Sequence, residues 1–121
     1  MKLHQAKNAG ENQFTGYGEG HVQINGERHD GNLLVTAQVV QPWEVSSFDA
    51  LEAAHFEAAL GFSPEVVLFG SGAKLRFPHP RLTAALTNKG IGVEVMDTQA
   101  ACRTFNILMA EDRKVLALLL T

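Results

Sequence analysis

The stretch Glu94 to Leu108, EVMDTQAACRTFNIL, gathers an acidic strand end, a helix cap, a cysteine, an arginine and an asparagine. A helix that only buries an apolar stripe needs none of that polar chemistry. Arg103 can grip a carboxylate or other anion bidentately, or pair with Glu94 or Asp97 to tie a helix to a strand. Asn106 is a poor helix former, so its side chain is expected to have a specific partner, the plainest being a neighbouring loop. Upstream, the apolar run VVLF ends in Gly70-Ser71-Gly72, where glycines let backbone N–H groups come close to a ligand. If VVLF and IGVEVM are neighbouring strands, their carboxyl ends face one crevice, the usual ligand position in open α/β sheets. The Gly70-Ser71-Gly72 amides and the N-terminus of a helix opening at Thr98 could there hold an anion, with Glu94 or Asp97 as general base. The competing account is a tight turn: no Gly-Lys-Ser/Thr follows, and Pro78 delays the next helix.

Other residues that could carry chemistry have plainer explanations. Cys102 lies in mid-helix beside an apolar stripe, whereas a reactive thiolate prefers a helix N-terminus or a cationic neighbour. Arg103 follows it directly, but consecutive helical side chains point about 100° apart, so a small buried residue is the better reading. Glu52 and His55, three positions apart, could form an acid–base couple or simply hold a half-buried histidine. The glycines at 16, 18 and 20 precede a strand, whereas the dinucleotide fingerprint follows one and opens a helix. Trp43 reads equally as a core anchor or a surface binding residue. The five histidines show no pair at metal-ligand spacing with a cysteine or carboxylate cluster, and no metal or cofactor is expected.

The elements that must position these residues follow from the apolar pattern. Residues 1–13 are polar and are expected to form a flexible arm. Val22 and Ile24 alternate with polar neighbours before Asn25-Gly26, a hairpin signal. A second turn at Asp30-Gly31-Asn32 leads to a strand through Leu33 to Thr36, and Pro42 marks an edge strand or linker. Ser46 or Ser47 can cap a helix from about Phe48 to Leu60, with Gly61 closing it in the left-handed region. VVLF is a central strand buried on both faces. Arg81 to Lys89 is a helix closed by Gly90, IGVEVM a strand, and Asp97 or Thr98 caps a helix ending near Glu111. On that helix Ala101, Phe105 and Leu108, flanked by Cys102 and Met109, form the buried stripe. Asp112-Arg113 turns into the last strand, KVLALLL. The order predicts one α/β domain over residues 14–121, with a mixed sheet, flanking helices and an N-terminal β-hairpin element.

The 121 residues are 45% hydrophobic and 19% charged, a folded rather than disordered composition. Net charge of −3 lacks the basic excess of a nucleic-acid binder, and Lys74, Arg76 and Arg81 are spread through a segment with two prolines. One cysteine excludes an internal disulfide and is compatible with a reducing compartment. The N-terminus has no apolar h-region and VLALLL is too short to span a bilayer, so a cytoplasmic protein without membrane insertion is expected.

The string Glu-x-Met-Asp-Thr-x-x-Ala-Cys-Arg-Thr-Phe-Asn is the most specific feature of the chain. With FTGYGEGHVQINGERHDGNLLVT, Trp43 and LFGSG it resembles the Mth-like domain family over about Phe14 to Leu120. That family is related to the mitochondrial complex I assembly factor 3 and the adipogenesis-associated Mth-like domain protein. Ser71 and Phe105 stand where relatives often carry threonine and tyrosine. The resemblance implies a three-layer α/β fold with no established catalytic residues, and a role in respiratory complex assembly for the eukaryotic members. The expected function is a non-catalytic interaction or assembly module, presenting Gly70, Ser71, Gly72, Glu94, Asp97, Thr98, Arg103 and Asn106 to a protein partner. The alternative is a small-molecule or anion-binding protein or enzyme using the same crevice.

Overall fold

Two apolar runs, Val66–Gly70 and Val115–Leu119, carry ten buried residues and form the middle of the molecule. In the computed structural model, which describes residues 10–121, they are adjacent parallel strands, β6 and β8. Residues 1–9 of the expected arm lie outside the described residues; Asn12, near its other end, is buried and donates to the carbonyls of Thr36 and Val39.

Among the described residues eight strands and three α-helices follow in order. They are β1 (Phe14–Gly18), β2 (His21–Ile24), β3 (Glu27–Asp30), β4 (Leu33–Val35) and β5 (Val40–Pro42), then α1 (Ala53–Glu57), β6, α2 (Pro80–Thr87), β7 (Gly92–Met96), α3 (Thr98–Ala110) and β8. A mixed sheet has the order β5-β4-β8-β6-β7, and β1-β2-β3 form a separate antiparallel meander. β7, β6 and β8 are parallel, while β4 runs antiparallel to both β8 and β5. Pro42, as expected, sits on an edge strand, where its missing N–H breaks no ladder. The predicted hairpin is β2–β3, with Ile24 opposite Glu27 and both Asn25 (φ 54°) and Gly26 (φ 84°) left-handed, as a two-residue primed turn demands.

Side chains alternate across each strand, so one sheet serves two cores. Leu33, Val35, Val66, Leu68, Val115, Ala117 and Leu119 face α3 (Ala101, Cys102, Phe105, Met109) and the meander (Phe14, Val22, Ile24). Leu34, Val67, Phe69, Leu116 and Leu118 face Trp43, Phe56, Ala59 and Leu86 on the other side. Trp43 is therefore a core anchor: it is 5% exposed, edge-on to Phe56 and Phe69, and donates Nε1–H to the His55 carbonyl at 2.9 Å.

The continuous helix expected over Phe48 to Leu60 does not form. A 3₁₀ turn at Phe48–Ala50 stops where Leu51 is extended (ψ 135°), α1 starts afresh at Ala53, and a second 3₁₀ turn spans Ala58–Phe62. The cause is a reciprocal capping box. Glu52 accepts from the backbone of His55, while His55 Nδ1 accepts the Glu52 N–H at 2.9 Å. The Glu52–His55 couple is thus engaged in a helix start. Ser47 makes no side-chain cap, and the left-handed residue after the segment is Ser63 (φ 50°) instead of Gly61.

Candidate functional site

β6 and β7 are neighbours in register, with Gly70 opposite Met96, so their carboxyl ends do share one place. The chain leaves β6 for α2, which packs on one face, and leaves β7 for α3, which packs on the other. Loops that part to opposite faces make the switch point at which open α/β sheets bind ligands.

Here the polar groups at the floor of that crevice are bonded to one another. The Ser71 N–H donates to the Met96 carbonyl at 2.9 Å, and the Thr98 N–H donates to the Gly72 carbonyl at 2.9 Å. Thr98 Oγ1 accepts the Gly72 N–H at 2.9 Å and donates to the Leu120 carbonyl at 2.6 Å. The Leu120 N–H returns to the Gly70 carbonyl at 2.9 Å. One buried hydroxyl therefore joins the ends of β6 and β8 to the start of α3. Ser71 Oγ secures the outgoing loop, donating to the Lys74 carbonyl at 2.6 Å and accepting the Arg76 N–H at 3.0 Å. Asp97 is the N-cap, its carboxylate accepting the Ala100 N–H at 2.9 Å.

Gly70 is required by this closure. A Cβ there would lie 2.8 Å from Leu119 Cδ2, 2.9 Å from Thr98 Oγ1 and 3.1 Å from the Thr98 Cα. The Gly70→Ala variant is expected to lose about 1–3 kcal/mol, read as a lower midpoint in urea unfolding.

The remaining predicted residues lie further along α3. Asn106 projects onto β1: its Nδ2 donates to the Phe14 carbonyl at 2.8 Å and its Oδ1 accepts the Phe14 N–H at 2.9 Å. The carboxamide replaces a strand's peptide group and clamps the meander to the helix, beside the edge-on Phe14–Phe105 pair with centroids 5.0 Å apart. Arg103 reaches neither Glu94 nor Asp97; its Nη1 donates to the Tyr17 hydroxyl at 3.1 Å. Glu94 is exposed on the edge strand β7. Its field reaches Arg113, whose guanidinium is held charged chiefly by its hydrogen bond and attraction to Glu65, with weaker help from Glu111 and Glu94.

Two shallow hollows flank the meander. One, of about 340 Å³, is lined by Phe14, Thr15, Gly16, Tyr17, Cys102, Arg103 and Asn106. The other, of about 480 Å³, runs from Tyr17 and His21 to Gly72, Thr98 and Gln99. The predicted residues thus divide into a closed knot (Gly70, Ser71, Gly72, Asp97, Thr98), a clamp (Asn106), and two outward side chains (Glu94, Arg103). Sequence reasoning missed Tyr17, although the glycine-flanked YG within FTGYGEG was a signal that an aromatic residue is displayed there.

Cys102 is buried, and burial pushes its thiol up to about 12, against a smaller downward pull from Arg103. The folded state therefore holds this proton between about 9, the ordinary value, and about 12. Its contribution to stability is whole below pH 9 and is lost as pH rises through 12. Alkylation by iodoacetamide at neutral pH is expected to be slow in the folded protein and fast in denaturant, with intact mass as the readout.

The comparisons with known proteins agree with this architecture. An uncharacterised protein of Rhodobacter capsulatus is 37% identical over 112 residues, covering 93% of this chain and 86% of the relative. The mouse NADH dehydrogenase [ubiquinone] 1 alpha subcomplex assembly factor 3 is 37% identical over 92 residues, 74% of this chain but only 50% of that protein. The chain thus spans half the length of that assembly factor. A crystal structure from Bordetella parapertussis superposes with a TM-score of 0.87 at 38% identity, covering 93% of this chain and 97% of that one. The solution structure of a Mth938-like domain from Bordetella pertussis gives 0.81 at 31% identity, covering 93% and 87%. Residues 14–120 match the family described as protein of unknown function (DUF498/DUF598), so the chain belongs to that family and has a Mth938-like fold.

Proposed function

We propose that the protein is a non-catalytic interaction module that docks a protein partner on the outward side of α3. The carrying observation is how the polar groups of the switch-point crevice are engaged. Ser71, Gly72, Asp97, Thr98 and Asn106 are committed to bonds within the fold. The outward side of α3 carries Gln99, Arg103 and Ile107, each exposed and four positions from the next, so they form one ridge. Ile107 is 57% exposed, and Tyr17, 39% exposed, lies against Arg103. An apolar side chain beside an arginine and a tyrosine is the composition of an interface anchor. The assembly-factor name of the mouse relative supports the same reading.

Affinity purification of the tagged protein from native extracts, prepared with and without membranes, tests it. A stoichiometric protein partner is expected, and its absence from both extracts would count against docking. The rival reading, anion binding by the Gly70-Ser71-Gly72 amides, is opposed by the bonds that the Ser71 and Gly72 amides already make. A thermal-shift screen over phosphates, nucleotides and carboxylates addresses it, since a ligand at a hundredfold excess over Kd would add about 2.7 kcal/mol. No shift is expected.

A further inference from the structure

Charge is unevenly distributed along this acidic chain. Between Val66 and Val93 lie four of the ten Lys and Arg residues and none of the thirteen Asp and Glu. Within that stretch the loop from β6 to α2, with the first two residues of α2, reads AKLRFPHPR and displays the two most exposed large apolar side chains among the described residues, apart from Ile107. Leu75 is 54% exposed and Phe77 is 68% exposed. The loop is held in shape. Ser71 Oγ binds its backbone at Lys74 and Arg76, and the Arg76 guanidinium lies 4.0 Å over the Phe48 ring and 3.1 Å from Asp49. Arg76 thus lies along the surface against Phe48 and Asp49, and its two apolar neighbours in sequence are displayed to solvent. Lys74 and Arg81 flank them, both exposed.

We propose that this loop is a membrane-surface contact, with Leu75 and Phe77 entering the interfacial region of an anionic bilayer and Lys74 and Arg81 meeting its headgroups. Apolar side chains displayed among cations match the chemistry of an interfacial anchor. The stretch itself contributes only cations to this surface although the whole chain is negative, and the exposed Asp49 beside it is paired with Arg76. No helix of the described residues is long and apolar enough to cross a membrane, and this contact needs none. The inference concerns a surface separate from the α3 ridge and stands independently of the protein-partner reading.

The test is cosedimentation of the purified chain with vesicles of equal parts phosphatidylglycerol and phosphatidylcholine, against phosphatidylcholine alone, at low and near-physiological salt. Binding is expected to the anionic vesicles only, and to weaken with salt. The Lys74→Glu/Arg81→Glu variant should partition at least roughly thirtyfold less strongly, from about fivefold for each lost attraction, with added repulsion. Leu75→Ser/Phe77→Ser should likewise fall towards background, while Ile107→Ser binds as the parent does. All four side chains are exposed, and unchanged circular-dichroism melts would certify folding. Equal binding to both vesicle types, binding to neither, or anionic binding that survives Leu75→Ser/Phe77→Ser would overturn the proposal. If vesicles are ignored while a poly(Glu,Tyr) copolymer binds and is lost in Lys74→Glu/Arg81→Glu, the loop faces an acidic protein segment and the membrane reading is wrong.

Discussion

Replacing Thr98 by valine, nearly the same shape without the hydroxyl, is expected to destabilise the protein by about 3 kcal/mol. Thr98 Oγ1 accepts the Gly72 N–H and donates to the Leu120 carbonyl, and the residue is only 8% exposed. Valine leaves both backbone groups without their partner at a place already filled by Gly70 and Leu119. Each such group costs about 1–3 kcal/mol, and the expected loss corresponds to a fall in Tm of roughly 10 °C for a domain of this size. Thr98→Ser retains the hydroxyl and should lose no more than about 1 kcal/mol, the worth of one methyl. Equal melting of Thr98→Val and the parent would show that the knot contributes nothing.

The second large effect concerns Asn106. Asn106→Leu keeps the volume but leaves the Phe14 N–H and carbonyl without the carboxamide, at an expected cost of about 2–4 kcal/mol. The loss should be local as well as global. β1 is the strand clamped to α3, and Phe14, Val22 and Ile24 of the meander roof the core that holds Cys102. Hydrogen exchange is therefore expected to accelerate in β1 and β2 before β6 and β8, and Cys102 should become alkylatable under native conditions. Asn106→Asp separates geometry from polarity. Its carboxylate can still accept the Phe14 N–H but sets a negative charge against the Phe14 carbonyl, so it should rescue little. Uniform exchange throughout the sheet in Asn106→Leu would refute the clamp.

These two residues also mark where the sequence was legible and where it was not. The apolar run of β6 announced a strand covered on both faces, and Asn25-Gly26 announced its hairpin, because burial and turn chemistry are local. The same local logic offered Asp97 or Thr98 as the cap, of which the fold uses Asp97, and set the carboxyl ends of β6 and β7 together on the condition, met here, that the two strands are neighbours. It could not tell that Thr98 would fill the crevice between them, since that depends on Leu120 arriving from another strand. Asn106 read correctly as a residue with a specific partner, but Phe14 lies 92 positions away. Arg103 was read as pairing with Glu94 or Asp97 or as gripping an anion, and within the fold its hydrogen-bond partner is Tyr17. The long helix expected from Phe48 failed for a different reason. Its apolar spacing is helical, yet the Glu52–His55 box starts a helix where periodicity alone would continue one.

The central claim is that α3 is fastened on its inner side and offers the Gln99–Arg103–Ile107 ridge to a protein. The most direct measurement is quantitative affinity capture from native extract with the parent chain and with Arg103→Glu/Ile107→Asp, whose side chains are both exposed. The account predicts that the variant melts within about 1 kcal/mol of the parent, as surface changes usually do, and loses the parent's stoichiometric partner. A partner retained in full by the folded variant would contradict it.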